Sequence, residues 1–414
     1  MDKDKLNWHI LLKHFKKKSK KSGRIAKNRE HIKQVKRRKQ KEWVARIKNK
    51  MIKYKRVLII CGSVVICILF VIGGFGIVRA VGRNRLYNKA ETTQPDMQLP
   101  PEEETVEEPS EEAEAEPEPE QTKWKEGWVK YKDKIYEYKE DILTFLVMGI
   151  DKNSDVKEVK EGTDGGQADA LFLVVVDSTD KSIKIVGINR NSMTDIKIYD
   201  EKGEYVDTVK AQIAVQHGFG NGVEESCEYQ KEAVEKLFYG LPIHGYAAVN
   251  MSAIPTINDA VGGVDVKVLE DLTRKDKSLV KDEQVHLMGK SAFWYVQYRD
   301  TSVFASADLR LARQKQYLNS FIAAAKKAAR EDISVVLNLY QAVMPQMVTD
   351  VSLDEVAYLA PILLDYRFGT DNFYMMEGEM VMGEKFEEFY PDETALYEMI
   401  LEVFYEEVNL DEEP

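Results

Sequence analysis

Asp151, Asp169 and Arg190 stand at the ends of three apolar runs of strand length, Leu143 to Met148, Leu171 to Val176 and Ile183 to Ile188. The second and third runs are joined by Asp177-Ser178-Thr179-Asp180-Lys181-Ser182, a turn-rich stretch that predicts a β-hairpin. With the turn centred between Thr179 and Asp180, Asp169 faces Arg190, and cross-strand partners lie about 4.5 to 5.5 Å apart at Cβ. An antiparallel first run brings Asp151 to the same rim. Two carboxylates beside a guanidinium suit a divalent cation on a phosphate-bearing ligand. The same spacing also describes an ordinary cross-strand ion pair with a loop aspartate, and spacing alone leaves both readings open.

A second set of phosphate-compatible residues lies at the start of a long helical pattern, Ala307 to Ala328, with Leu311, Leu318, Ile322 and Ala325 on one face. Arg310 and Gln314 are four apart and share a face. The first turn of a helix presents free N–H groups that favour anions.

The elements that must hold these residues run from Asp141 to about Val408, where strand and helix patterns alternate. A helix is expected over Glu228 to Phe238, stopped by Gly240 and Pro242. Strands are expected over Tyr246 to Asn250, Val264 to Val268 and Ala292 to Gln297, with a helix over Ala253 to Ala260 and a turn at Gly262-Gly263. Val335 to Met344, Val356 to Leu364 and Glu393 to Phe404 read as covering helices. Trp124 to Glu140 reads as an amphipathic lead-in helix.

The net charge of −11 conceals a split. Residues 1–56 carry 23 Lys and Arg against four acids, a net of +19, and the remainder is −30. Between them lies Val57 to Val78, 22 residues without a charge, which as a helix spans about 33 Å and reads as one transmembrane helix. The basic tail puts the N-terminus in the cytoplasm and the acidic part outside, and suits anionic lipid better than nucleic acid. Residues 79–123 include an acidic, Pro-rich stretch that reads as an extended extracellular linker. Of three cysteines, Cys61 and Cys67 lie in the apolar run, so Cys227 has no disulfide partner in the outer part. None of the six histidines is spaced as a metal pair, and neither a Gly-x-Ser-x-Gly elbow nor a Walker loop occurs.

Several stretches, in order, resemble the LytR-CpsA-Psr family, cell-wall ligases of Gram-positive bacteria: FLVMGID, QADALFLVVVD, INRNSMTDI, VKAQIAVQHGFGNG, YGLPIHGYAAVN, DAVGGVDVKV and YVQYRDTSVFASADLRLARQKQ. The resemblance covers roughly Asp141 to Ala325, the core of the domain, with 326–414 expected as its helical completion. It implies an extracellular α/β domain of α-β-α type with a central mixed sheet. It also implies a donor glycopolymer on undecaprenyl pyrophosphate, with the lipid in an apolar tunnel, and peptidoglycan as acceptor.

Carried over by motif, the resemblance makes Asp151 and Asp169 the ligands of Mg2+. Arg190, Arg299, Arg310 and Gln314 hold the phosphates, Asp169 and the three arginines form the catalytic set, and Gln167, Gln297 and Lys210 contact substrate. Departures are Gln167 and Gln297 where the family usually has arginine, Asn191 for the aspartate after Arg190, and Asp308 one residue closer to Arg310. Two lost guanidinium groups weaken phosphate contacts worth about 1.5 to 3 kcal/mol each. The implied reaction is attack by a peptidoglycan hydroxyl on the glycan-proximal phosphate, releasing lipid monophosphate. The alternatives are a non-catalytic binder or regulator of lipid-linked glycans and a pyrophosphatase with water as acceptor.

Overall fold

The computed structural model describes residues 76–90, 94–97, 124–159, 165–200, 202–300, 302 and 306–409, together with helical positions 31, 33–34, 36–39, 41–43, 46 and 48. It divides into residues 1–77 and 78–414, and every described strand lies in the second unit. Most of the apolar run expected to span a membrane lies outside the described residues, and none of the described helices is long and apolar enough to cross one.

The strands are β1 (Val129–Tyr131), β2 (Lys134–Tyr138), β3 (Ile142–Ile150), β4 (Ala168–Asp177), β5 (Ser182–Ile188), β6 (Met193–Tyr199), β7 (Tyr205–Gln212) and β8 (Gly245–Asn250), then β9 (Val264–Lys267), β10 (Gln284–Leu287), β11 (Met347–Thr349), β12 (Phe373–Met375), β13 (Gly378–Met382), β14 (Glu387–Pro391) and β15 (Tyr405–Glu407). The helices are α1 (Glu224–Leu237), α2 (Ile254–Ala260), α3 (Lys290–Gln297), α4 (Ser306–Glu331), α5 (Ser334–Val343), α6 (Leu353–Asp365) and α7 (Glu393–Phe404).

Six strands form the central mixed sheet, in the order β11-β8-β3-β4-β5-β12. β3 and β4 are antiparallel, as are β4 and β5, whereas β8 runs parallel to β3 and β12 parallel to β5. β3, β4 and β5 are apolar almost throughout because both faces are covered. Leu146, Met148, Leu171, Leu173 and Val186 share a core with α1 and α7. Phe172 and Ile185, on the other face, pack with Val147, Ala170 and the α4 residues Leu311, Leu318 and Ile322.

Four expectations are corrected. The lead-in helix is the hairpin β1–β2, whose turn residues Lys132 and Asp133 both have positive φ (45° and 62°). Without a glycine there, the turn left no clear mark in the sequence. Ala292 to Gln297 lies in helix α3: its aromatic and β-branched residues suggest a strand, but Ala292 and Tyr295 are buried three apart in a core with Val264, Val266 and Tyr317. The segment after the apolar run is not all linker, since residues 78–87 are helical, Leu86 and Met97 are buried, and the Asp96 N–H bonds the Tyr239 carbonyl. The C-terminal part is not only helical, because β11 and β12 form the two edges of the central sheet.

Candidate functional site

The hairpin register is the one the turn predicts: Leu171 pairs with Ile188 and Asp177 with Ser182. Continued past the last pair, that register sets Asp169 opposite Arg190, and Arg190 Nη1 lies 3.2 Å from Asp169 Oδ1. β3 is antiparallel to β4, with an irregularity at Gly149/Ile150 just before Asp151. The Asp151 N–H donates to the Gln167 carbonyl at 3.0 Å, and the Gln167 N–H donates to Asp151 Oδ1 at 2.7 Å. The Gln167 side chain accepts from Arg190 Nη2 at 2.6 Å. Asp151, Gln167, Asp169 and Arg190 therefore lie along one rim of the sheet.

α4 adds Arg310 from above. Its Nη1 lies 3.4 Å from Asp169 Oδ2, so the carboxylate holds one arginine on each oxygen. Arg310 is 6% exposed. Burial lowers its proton affinity most, Asp169 opposes that loss, and the nearby Arg190 and Arg299 add to it. Arg299 follows helix α3, not a strand, and is held by Ser306 Oγ (3.0 Å from Nε) and Glu387 Oε2 (2.8 Å from Nη2). Three guanidinium groups thus meet three carboxylates, Asp151, Asp169 and Glu387, at this end of the sheet.

Gln314, one turn beyond Arg310, donates to the Val296 carbonyl at 3.4 Å and lines the same cavity as Asp169, Arg190 and Arg310. The floor of that cavity is apolar, formed by Ala170, Leu171, Phe172, Ile188 and Leu311. Its volume of about 20 Å³ leaves room for little more than one water. A second cavity of about 450 Å³ opens beside it, lined by Asp151, Lys152, Gly166, Gln167, Val215, Gly218 and Phe219. His217, behind it, is 1% exposed and places Nδ1 2.9 Å from the Gly166 carbonyl.

Two expected contacts lie elsewhere. Lys210 is on the β6–β7 ribbon, opposite Asp195, with which it pairs at 3.0 Å. Gln297 ends α3 and does not line the cavity. Conversely, Glu387, which pairs with Arg299, lies far along the chain in an acidic stretch with no pattern marking it. The side chain of Asp308 lies outside the described residues.

Among the described residues no three acidic, His or Cys side chains cluster as a metal site. Asp151 and Asp169 are the carboxylates of the rim; the two Asp169 oxygens hold Arg190 and Arg310, and Asp151 Oδ1 accepts the Gln167 N–H, so a Mg2+ ion would have to share them while filling its shell with water and ligand phosphate.

The LytR_cpsA_psr family model matches residues 104–400. The polyisoprenyl-teichoic acid–peptidoglycan teichoic acid transferase TagU of Bacillus cereus is 28% identical over 219 residues, 53% of this chain and 63% of that protein. The corresponding transferase TagV of Bacillus subtilis is 26% identical over 197 residues, 46% of each chain. The chain thus spans less than two thirds of the length of these relatives. The solved structure of protein gbs0355 from Streptococcus agalactiae shares the fold with a TM-score of 0.50 at 18% identity, over 63% of this chain and 87% of that one. The crystal structure of B. subtilis TagV gives 0.49 at 23%, over 66% and 99%.

Proposed function

This chain belongs to the LytR_cpsA_psr family, and on that premise we propose that it transfers a glycopolymer from a polyprenyl pyrophosphate to peptidoglycan, using Mg2+. The names of its relatives support a teichoic acid or similar anionic glycan as the cargo. The observation that carries the reading is Asp169 held between Arg190 and Arg310 directly above an apolar wedge between α4 and the sheet. A pyrophosphate with a long hydrocarbon tail needs both surfaces at one place.

In the proposed reaction a sugar hydroxyl of peptidoglycan attacks the glycan-proximal phosphorus. A new O–P bond forms, the bridging P–O bond breaks, the hydroxyl proton passes to water, and the lipid leaves as its monophosphate. Arg190, Arg299 and Arg310 bind the non-bridging oxygens and neutralise charge as it shifts to the leaving group. The N-terminal turn of α4 adds a favourable dipole. A bound Mg2+, held by Asp151 and Asp169, would polarise the bridging bond. Gln167 fixes Arg190 through its side chain. Because the cavity holds little more than a water, the tail enters only if α4 shifts from the sheet.

The proposed setting is a single-pass plasma-membrane protein of a Gram-positive cell, with the basic tail inside against anionic lipid and the folded unit outside. The test is transfer of a labelled glycan from a polyprenyl pyrophosphate donor to peptidoglycan by the purified full chain. Glycan linked to peptidoglycan supports the reading. Free phosphorylated glycan released without acceptor identifies a pyrophosphatase instead, and donor binding with neither product identifies a non-catalytic binder.

A further inference from the structure

The 78–87 helix is fastened to the folded unit at several points. Leu86 is buried with Leu143, Phe145, Val176 and Leu359. Arg85 Nη1 lies 3.2 Å from both Ser352 Oγ and Asp354 Oδ1. Lys89 Nζ lies 3.2 Å from Asp350 Oδ2 and 3.2 Å from the buried Glu355. At Gly82 a Cβ would stand 2.3 Å from the Asp354 carbonyl oxygen, so the helix approaches α6 as only glycine allows. The chain leaving the uncharged run at Val78 is therefore pinned by Leu86, about 12 Å along a helix.

α6 lies across the end of the central sheet opposite the arginine rim. Just before it, Asp350 Oδ1 accepts from the Tyr246 N–H at the start of β8 (2.7 Å), and just after it Tyr366 donates to Ser178 Oγ at the β4–β5 turn (3.2 Å). β3 begins at that end and reaches Asp151 at the other. The charged residues of α6 are Asp354, Glu355 and Asp365; α5, joined to it through the Tyr340 hydroxyl and the Val351 carbonyl, has none. Helices apolar on nearly every side belong in a buried setting. Yet Val78, Val81, Ile333, Leu337 and Leu353 are each between 42% and 48% exposed.

We propose that this face, formed by the 78–87 helix with α5 and α6, rests on the outer surface of an anionic-lipid bilayer. The inference rests on reading residues 57–78 as a membrane span. Lipid is the occupant the features favour, because the chain reaches this face directly from its uncharged run, and the exposed Arg83 suits head-group phosphates. The consequence for the site is geometric. α4 runs from Arg310 at the rim to Lys326, whose ammonium contacts the Tyr366 carbonyl beside the end of α6, a path of about 24 Å. A prenyl chain entering at the lipid-facing end would follow the α4 wedge to the arginines while the domain stays on the membrane.

The test uses the full chain with Cys61→Ser and Cys67→Ser, which leaves Cys227 buried. A bimane label is placed at Leu353→Cys or at Met382→Cys, the latter 63% exposed on β13, whose partner strand β14 carries Glu387 at the rim. The protein is reconstituted into phosphatidylglycerol vesicles containing doxyl-labelled lipid. The expected result is strong quenching at 353 and none at 382. Absent quenching at 353, equal quenching at both positions, or failure to insert overturns the proposal. Self-quenching at 353 between labelled chains without lipid quenching assigns the face to a second copy. The readout uses neither donor nor acceptor, so loss of transfer in a separate assay and loss of docking here are distinguishable.

Discussion

Asp169 and Arg190 meet across the β4–β5 hairpin at 3.2 Å, and the same carboxylate reaches Arg310 with its other oxygen at 3.4 Å. One negative charge therefore holds two guanidinium groups apart and in place. Replacing it with the isosteric amide removes the charge and keeps the shape. Asp169→Asn is expected to lower transfer by ~100-fold or more and to raise the Mg2+ concentration required. Binding of a short-chain prenyl diphosphate in EDTA is expected to hold or tighten, because the arginines lose their internal anion. Transfer rates under a Mg2+ titration, with calorimetry in EDTA, check both halves, and unchanged transfer removes Asp169 from the site.

Arg310 predicts a trade between stability and activity. Its guanidinium is nearly buried, desolvated and repelled by two other arginines, so it stabilises the fold little or not at all. Arg310→Met is expected to leave the urea midpoint unchanged or raised, while transfer falls by ~100-fold, about 2.7 kcal/mol of lost transition-state stabilisation. Arg310→Lys should recover little, since a lysine cannot reach two oxygens with a planar fork. A destabilised, active Arg310→Met protein contradicts both parts.

The wedge between α4 and the sheet separates recognition of the tail from recognition of the phosphates. Leu318 lies there with Phe172, Ile185 and Phe373, and is only partly buried. Leu318→Gln is expected to raise KM for a long-chain polyprenyl donor and to leave KM for a short-chain, water-soluble donor near that of wild type. Parallel kinetics with the two donors check this. An equal rise for both places the tail elsewhere.

The rim was legible because it depends on local rules. A turn-rich hexapeptide fixed the hairpin register, and register fixes which residues face each other. What eluded reading depends on contacts distant in sequence. Glu387 reaches Arg299 from a strand with no distinguishing pattern. The residues of α3 have strand-like composition, and packing on β9 and α4 makes them helical. Leu86 and Met97 flank polar residues that dominate any local average, so their burial shows only in the fold. Family likeness points Lys210 at substrate, whereas the β6–β7 ribbon carries it away from the cavity to Asp195.

Two buried histidines predict how stability depends on pH. Burial pushes both His217 and His244 down to about 4 from an ordinary value of 6.5; backbone carbonyls at Gly165 and Gly166 partly offset this for His217, while Lys231 adds to it for His244. His244 Nδ1 accepts the Thr144 N–H at 3.1 Å, so a proton on that nitrogen would set two donors face to face. The unfolded chain binds protons at these sites more readily than the folded one. Their contribution is therefore complete above about pH 6.5 and is lost as pH falls toward 4, on the order of 3 kcal/mol for each. His244→Asn, whose carbonyl can accept the same N–H without titrating, should lose less stability than wild type between pH 7.5 and 4.5. Urea midpoints across that range check the difference, and parallel curves for the two proteins would show that His244 is not held neutral by its surroundings.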